Sequence, residues 1–324
     1  MLKDSHGRKI NYLRLAVTDR CNLRCTYCMP ADGLAWLPRQ ELLSFEEMLR
    51  LCSLLVKMGV EKIRITGGEP FLQKDLILFL SDLRKLSGLQ QISITTNGIL
   101  TAPFIPQLKK LGIESINLSM DTLNPEHFFA ISRRDEFGAV WNTLQQLLQH
   151  KMEVKINAVV MDGLNTEDII PLVQLTKEQA VSVRFIEEMT FNGKAQQATT
   201  PAWNFIRIID HIKNHYPLLQ KIKDPPSSTS YNYIIPGHQG TVGVIAAYSR
   251  SFCGTCNRIR ITPQGMLKTC LYDSGALDIK EQIRKGVTDT TLALLIKEAI
   301  GLKAKDGWSA EKEIRHDSMA TIGG

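Results

Sequence analysis

From residue 12 to about residue 190 the sequence alternates short β-rich runs with amphipathic stretches, and this rhythm constrains the fold more than any other feature. Residues 13–17, 62–66, 91–95, 115–120, 154–160 and 181–186 are rich in β-branched or alternating apolar side chains and read as strands. Residues 45–58, 76–86, 102–111, 137–151 and 166–179 carry the helical repeat. About six βα units in series predict a parallel sheet that curls into a partial or full barrel. An open doubly wound sheet is the alternative, because strand order is not readable from the pattern.

After Ile186 the rhythm breaks. Residues 191–201 read as a loop and 202–216 as an amphipathic helix. Asp224-Pro-Pro-Ser-Ser-Thr-Ser230 reads as a flexible connection, and residues 231–235, 242–248, 258–262 and 266–272 as antiparallel strands. The expected division lies near residue 220, giving one domain over 1–220 and another over 221–324. Neither 196–200 nor 223–230 carries a diagnostic motif. A hydrophobic content of 44% suits a substantial core, and no apolar run approaches the roughly 18 residues that span a bilayer. The polar start, Met1-Leu-Lys-Asp-Ser-His-Gly-Arg-Lys9, lacks a signal-peptide pattern, so a cytoplasmic protein with no membrane partner is expected. A net charge of +6 fits a polyanionic ligand without identifying one.

Seven cysteines in such a chain point to metal binding rather than to a disulfide framework. Cys52, at helical spacing with Met48, Leu51 and Leu55, reads as a buried inert thiol. The other six form two triplets. Cys21-Asn-Leu-Arg-Cys25-Thr-Tyr-Cys28 follows the first strand, where parallel α/β folds place their chemistry. A structural zinc site takes four protein ligands, whereas a [4Fe–4S] cluster on three cysteines leaves one iron open to a small molecule. Cys253-Gly-Thr-Cys256 with Cys270 poses the same choice: a second three-cysteine cluster, or zinc completed by a distant residue such as His238 or His316.

Arg258 and Arg260, two apart on a strand, form a candidate anion clamp, with a solvated basic face as the alternative. Thr66-Gly-Gly-Glu-Pro70 ends the second strand, and its glycines would let a ligand approach the backbone. The chain has neither a G-x-G-x-x-G fingerprint there nor a G-x-x-x-x-G-K-[ST] loop, so scattered side chains must hold any nucleoside triphosphate. Arg14, Lys62, Arg64, Lys155 and Arg184 all fall in expected strands, where inward-facing cations are costly without an anion. His211 and His215, one turn apart, lack the glutamate of a zinc-protease motif and read as surface or packing residues.

The first triplet with Tyr27, together with Thr66-Gly-Gly-Glu-Pro70, resembles the signature of radical S-adenosylmethionine enzymes. Further segments narrow the resemblance: Val17-Thr-Asp-Arg-Cys21, Lys62-Ile-Arg-Ile-Thr-Gly-Gly68, Thr95-Thr-Asn-Gly98, Arg184-Phe-Ile-Glu187, the run from Cys253 to Arg260, and Ile322-Gly-Gly324. Along nearly its whole length the chain resembles the GTP 3′,8-cyclases that begin molybdenum cofactor synthesis. The resemblance implies an incomplete TIM-type (β/α)6 barrel, with a C-terminal α+β domain covering the open side, assembled as a homodimer. It implies two [4Fe–4S] clusters, the first holding S-adenosyl-L-methionine at its open iron. An external electron donor would drive cleavage to methionine and a 5′-deoxyadenosyl radical. That radical would take hydrogen from C3′ of GTP, and the sugar radical would attack C8 of guanine. The product, (8S)-3′,8-cyclo-7,8-dihydroguanosine 5′-triphosphate, would pass to a separate cyclic pyranopterin monophosphate synthase.

Carried over position by position, the resemblance implies S-adenosylmethionine contacts at Tyr27, Gly68, Ser119 and Met189. It implies GTP contacts at Arg14, Lys62, Arg64, Thr95, Lys155, Arg184, Arg258 and Arg260, with the guanine edge on the second cluster. Gly323 and Gly324 would reach into the active site, sharing the catalytic role with Arg258 and Arg260. Two competitors are a peptide-modifying relative with an auxiliary cluster and a zinc-stabilised nucleic-acid-binding module. The second leaves the βα units and Gly67-Gly68 unexplained.

Overall fold

In the computed structural model, which describes residues 1–189, 191, 200–311 and 318–323, six parallel strands lie side by side in chain order. They are β1 (Tyr12–Ala16), β2 (Lys62–Thr66), β3 (Gln91–Thr96), β4 (Ser115–Ser119), β5 (Glu153–Val160) and β6 (Val181–Glu187). The crossovers carry α1 (Phe45–Lys57), α2 (Leu76–Arg84), α3 (Ile105–Lys110), α4 (Pro125–Ser132), α5 (Phe137–Gln149) and α6 (Ile169–Glu178). This is the expected incomplete (β/α)6 barrel.

Local chemistry explains where the helices begin. Ser44 and Glu47 form a reciprocal capping box on α1, satisfying two backbone donors that the helix itself leaves open. The expected helix over 102–111 is a 3₁₀ turn, Ala102–Phe104, followed by α3. Pro103 and Pro106 lack the N–H a continuous ladder needs, so the helix restarts at Ile105 with Pro106 in its first turn. The sequence reading missed α4, although its signal was present: Asn124 caps it, accepting from the Glu126 and His127 amides, and Pro125 takes the first position.

Alternation along the strands separates a core from a cavity. Leu13, Leu15, Ile63, Ile65, Ile156, Val183 and Phe185 are fully buried and belong to the main apolar core. The intervening residues include Tyr12, Arg14, Lys62, Arg64, Lys155 and Arg184, on the opposite, inward face. A TIM barrel ordinarily fills its interior with bulky apolar layers. A lining of long cations cannot do that, so this barrel is hollow.

The segment after β6 completes both edges of the sheet. Following α7 (Phe205–His215) come β7 (Gln220–Lys221), β8 (Ser230–Ile234), β9 (Thr241–Ile245), β10 (Arg258–Ile261), β11 (Met266–Lys268) and β12 (Leu277–Asp278). The order is β12-β11-β10-β1-β2-β3-β4-β5-β6-β9-β8-β7, so the sheet runs through the expected division near residue 220. Antiparallel pairing was expected for this segment, yet β9 joins β6 and β10 joins β1 in parallel. Antiparallel pairs do form, β7–β8, β8–β9, β10–β11 and β11–β12, and short Pro- and Gly-containing turns close β8–β9 and β10–β11. Local patterning reports a hairpin's own turn and says nothing about the edge on which it docks. Beyond β12 the chain forms α8 (Ile279–Arg284), α9 (Asp289–Gly301), α10 (Gly307–Ala310) and α11 (Met319–Ile322). Among the described residues no helix is long and apolar enough to cross a membrane.

Candidate active site

The inward face encloses a cavity of ≈ 710 Å³. Strand register arranges its first wall in two levels. Arg258, Tyr12 and Lys62 are neighbours across β10, β1 and β2, and Arg260, Arg14 and Arg64 form the next level. Lys155 and Arg184 enter from β5 and β6, making seven cationic side chains against the carboxylates of Asp121, Glu153 and Glu187. Two of those acids are engaged elsewhere. Asp121 accepts from Tyr27 and the Val159 amide, and Glu187 from the amides of Phe205 and Ser249 and the Ser249 hydroxyl. Among the described residues, the one ion pair formed by these seven cations is Lys155 with Glu153.

The electrostatic consequence is direct. Burial, reinforced by neighbouring cations, brings the Arg64 guanidinium down to about 10 and that of Arg260 to about 9. Tyr12 Oη, Arg14 Nε, Thr95 Oγ1 and Arg184 Nε are buried without hydrogen-bond partners among the described residues. Orphaned donors beside unneutralised cations describe a site shaped for a polyanion with many acceptor oxygens.

The first cysteine triplet follows β1, at the carboxyl end of the parallel strands. Its loop is tied to the residues ending α4 by the Arg24 and Thr26 amides, which donate to Ser132 and Ile131 carbonyls. Tyr27 Oη donates to Asp121 Oδ2 (3.0 Å), and Asn97 Nδ2 reaches Asn22 Oδ1 (2.7 Å) and Cys21 Sγ (3.8 Å). Asn97 is itself positioned by buried Glu69, which accepts from the Asn97 and Phe71 amides and the Thr96 hydroxyl. Burial pushes the Glu69 carboxyl up to about 7 against the pull of those donors.

Gly67-Gly68 line the cavity and also let the chain's own backbone come close. Gly68 N donates to Thr18 O (2.8 Å), Glu69 N donates to Arg20 O (2.7 Å), and a Cβ on Gly68 would lie 2.1 Å from Arg20 O. The chain's own cysteine-bearing loop occupies the space that the glycines leave. Gly68→Ala is therefore expected to destabilise the fold by about 1–3 kcal/mol as well as to weaken S-adenosylmethionine binding. Thermal unfolding of the ligand-free variant checks this: an unchanged melting temperature would count against the packing role of Gly68.

Cys253 and Cys256 precede β10, which runs parallel to β1, and Cys270 follows the antiparallel β11. The second triplet thus sits at the amino ends of the strands, opposite the first. A strand of about five residues separates the two ends by roughly 16 Å. All six cysteines are free thiols lining the one cavity. Burial pushes Cys21 up to about 11 and Cys28 to about 12, with Cys25 also well raised. At the other end burial also acts to raise Cys256, but Lys303 and Arg258 outweigh it and bring the thiol to about 7.

Among the described residues no three His, Cys, Asp or Glu side chains close tightly enough to grip a single metal ion. The donor sets themselves, three thiols at each end facing one space, fit iron–sulfur clusters with an open position. His238, the described candidate for completing a zinc site, pairs with Thr176 Oγ1 (2.8 Å) and packs on Tyr216; His316 lies outside the described residues.

Apart from Gly323, every other described residue carried over by resemblance also lines this cavity: Tyr27, Gly68, Ser119, Met189, Thr95 and the seven cations. Gly323 O accepts from Arg260 Nη1 (2.5 Å), and its φ of 78° and its closeness to Ala16 and Thr66 suit glycine. Gly324 lies outside the described residues, as does most of loop 191–201. Ser318, which caps α11, donates to Cys28 O (2.5 Å) and so joins the tail to the first triplet.

The segment 224–230, expected to be a flexible connection, forms cavity wall at residues 225–229, where Ser227 O accepts from Arg258 Nη2 (2.9 Å). Sequence reasoning missed Tyr12, Asn97, Asp121 and Lys303. Tyr12 was accessible to period-two counting from Arg14; the others depend on contacts between distant segments. His211 and His215 lie on α7, outside the cavity, as expected. Cys52 is fully buried in the core, also as expected.

Comparison with known proteins agrees with this geometry. A family model described as the Radical SAM superfamily matches residues 15–176, and one described as Molybdenum Cofactor Synthesis C matches 181–308. The chain is 39% identical to a GTP 3′,8-cyclase of Desulforamulus reducens, covering 99% of each chain. It is 38% identical to the mitochondrial GTP 3′,8-cyclase of Arabidopsis thaliana, over 94% of this chain and 78% of that protein. It is 42% identical to molybdenum cofactor biosynthesis protein 1 of Bos taurus over 94% of its own length, and spans about half (48%) of that longer relative. In fold it is similar to Streptococcus suis SuiB, with a TM-score of 0.63 and 15% identity over 90% of this chain and 68% of that one. The matches over nearly the whole chain, with two cysteine triplets flanking a cationic barrel interior, make this chain a member of the GTP 3′,8-cyclase family of the radical S-adenosylmethionine superfamily.

Proposed function

We propose that this protein is a radical S-adenosylmethionine enzyme that cyclises GTP to (8S)-3′,8-cyclo-7,8-dihydroguanosine 5′-triphosphate, the first step of molybdenum cofactor biosynthesis. The observation that carries the reading is the cavity: a cysteine triplet at each end of the strands and seven cations on the wall between. The activity named for the D. reducens and Arabidopsis relatives supports GTP as the polyanion.

Cys21, Cys25 and Cys28 would hold one [4Fe–4S] cluster, and Cys253, Cys256 and Cys270 a second. When bound, the first cluster and S-adenosylmethionine supply a 5′-deoxyadenosyl radical able to take hydrogen from C3′ of GTP. The chain's own groups bind, orient and enclose. Tyr27, Gly68, Ser119 and Met189 would contact S-adenosylmethionine. Arg14, Lys62, Arg64, Lys155, Arg184, Arg258 and Arg260 would neutralise the triphosphate, with Thr95 as a further contact. Gly323 and Gly324 would close the site, and residues 225–229 would exclude water from it. An external electron donor, a downstream cyclic pyranopterin monophosphate synthase, a homodimeric assembly and a cytoplasmic location complete the proposal.

The test is anaerobic incubation of reduced, reconstituted protein with S-adenosylmethionine and GTP deuterated at C3′. Deuterium is expected in 5′-deoxyadenosine, alongside a cyclised nucleotide. Cleavage of S-adenosylmethionine without deuterium transfer would remove GTP as the substrate.

A further inference from the structure

We propose that Tyr12 is a substrate-contacting residue whose phenol donates a hydrogen bond to the polyphosphate of the bound nucleotide. The proposal rests on the cyclase reading only for the identity of that nucleotide. Strand register sets Tyr12 between Lys62 on β2 and Arg258 on β10, with Arg14 and Arg64 one level along. Lys62 Nζ and Arg64 Cζ lie 5.1 Å and 5.6 Å from the centre of its ring. The ring thus holds two cations beside it by cation–π attraction.

The hydroxyl is the informative atom. Tyr12 Oη is buried, and it has no hydrogen-bond partner among the described residues. Arginine and lysine side chains carry donors and no acceptor, so none of the four surrounding cations can receive the phenolic hydrogen. A buried hydroxyl with no partner among the described residues is open to an acceptor, and the same cations would draw an anionic oxygen to that position. A tyrosine serving only as packing would keep its hydroxyl in water or on a backbone carbonyl.

The phenol's acidity accords with this placement. Burial acts to raise its pKa, but Arg64, Arg14, Lys62 and Arg258 outweigh that effect and bring it to about 8. At neutral pH it is mainly protonated and able to donate. As pH rises through about 8 it becomes an anion that repels a phosphate.

Tyr12→Phe keeps the ring and its cation–π contacts, which isolates the hydroxyl. Reconstituted wild-type and variant protein are titrated calorimetrically with GTP, inorganic tripolyphosphate and guanosine at pH 7, and with the two phosphates again at pH 9. The variant is expected to bind GTP and tripolyphosphate roughly 10- to 100-fold more weakly at pH 7. Guanosine binding, S-adenosylmethionine binding and melting temperature stay at wild-type values, and the gap between the proteins narrows at pH 9. Equal affinity of the two proteins for both phosphates overturns the proposal. So does an equal loss for guanosine, which would mark a structural role. If wild-type protein binds tripolyphosphate but not GTP, the cyclase reading fails while the tripolyphosphate comparison still decides the role of Tyr12.

Discussion

Cys25→Ala is expected to lower iron from roughly eight to about four atoms per reconstituted chain and to abolish S-adenosylmethionine cleavage. Cys25 is the middle thiol of the first triplet, half-buried in the cavity wall. Two thiols cannot retain a cubane that already lacks a fourth protein ligand. The fold should survive the change. Leu23 and Met29 anchor the loop by burial, and backbone bonds from Arg24 and Thr26 tie it to the residues ending α4. Iron analysis, anaerobic assay for 5′-deoxyadenosine and thermal unfolding make the measurement. The companion variant Cys256→Ala is expected to lose the other half of the iron and GTP conversion, while still cleaving S-adenosylmethionine. The assignment of the two triplets to separate roles fails if either variant shows the other's pattern.

Arg260→Ala is expected to lower kcat/KM for GTP by at least about 10²-fold, the effect of truncating one partner of a desolvated charge pair. S-adenosylmethionine binding should be unchanged. The same substitution should leave the melting temperature of ligand-free protein unchanged or raised, opposite to the usual result of cutting away a buried side chain. Burial disfavours this guanidinium, and Arg14 and Arg258 repel it. Its one described hydrogen bond is to Gly323 O, so removal relieves repulsion at the expense of a single contact to the tail. Arg260→Lys restores the charge without the planar fork and should recover activity only in part. A kcat/KM within roughly threefold of wild type, or a clear fall in melting temperature, would count against the substrate-clamp role.

Much of the barrel was legible because period and chemistry coincide there. The six parallel strands fall where β-branched runs alternate with helical repeats, and the helices cover the face carrying Leu13, Leu15, Ile63 and Ile65. Arg14, Lys62, Arg64, Lys155 and Arg184 were also legible, as charges sharing strands with core residues whose inward placement would call for an anion. At Gly68 the sequence was ambiguous for a physical reason. A glycine shows that something comes close, and only the contacts show whether that is a ligand or the chain's own Arg20 carbonyl. The reading failed at residues 224–230, where a Pro/Ser composition suggested a loose connection but Arg258 holds Ser227 in the cavity wall.

By itself the sequence determined the elements and the donor groups: six βα units, two cysteine triplets, and cations spaced along strands. Those are local properties, set by residue type and short spacings. The tertiary structure decided that both triplets face one cavity from opposite ends. It did so by docking β10 on β1 and β9 on β6, pairings between segments far apart in the chain. It also decided that Tyr12 stands between Lys62 and Arg258, and that Glu69 positions Asn97 against Cys21. Register between strands distant in the chain depends on which edges and faces remain to be covered once the whole sheet has formed, and no short stretch of sequence carries that information.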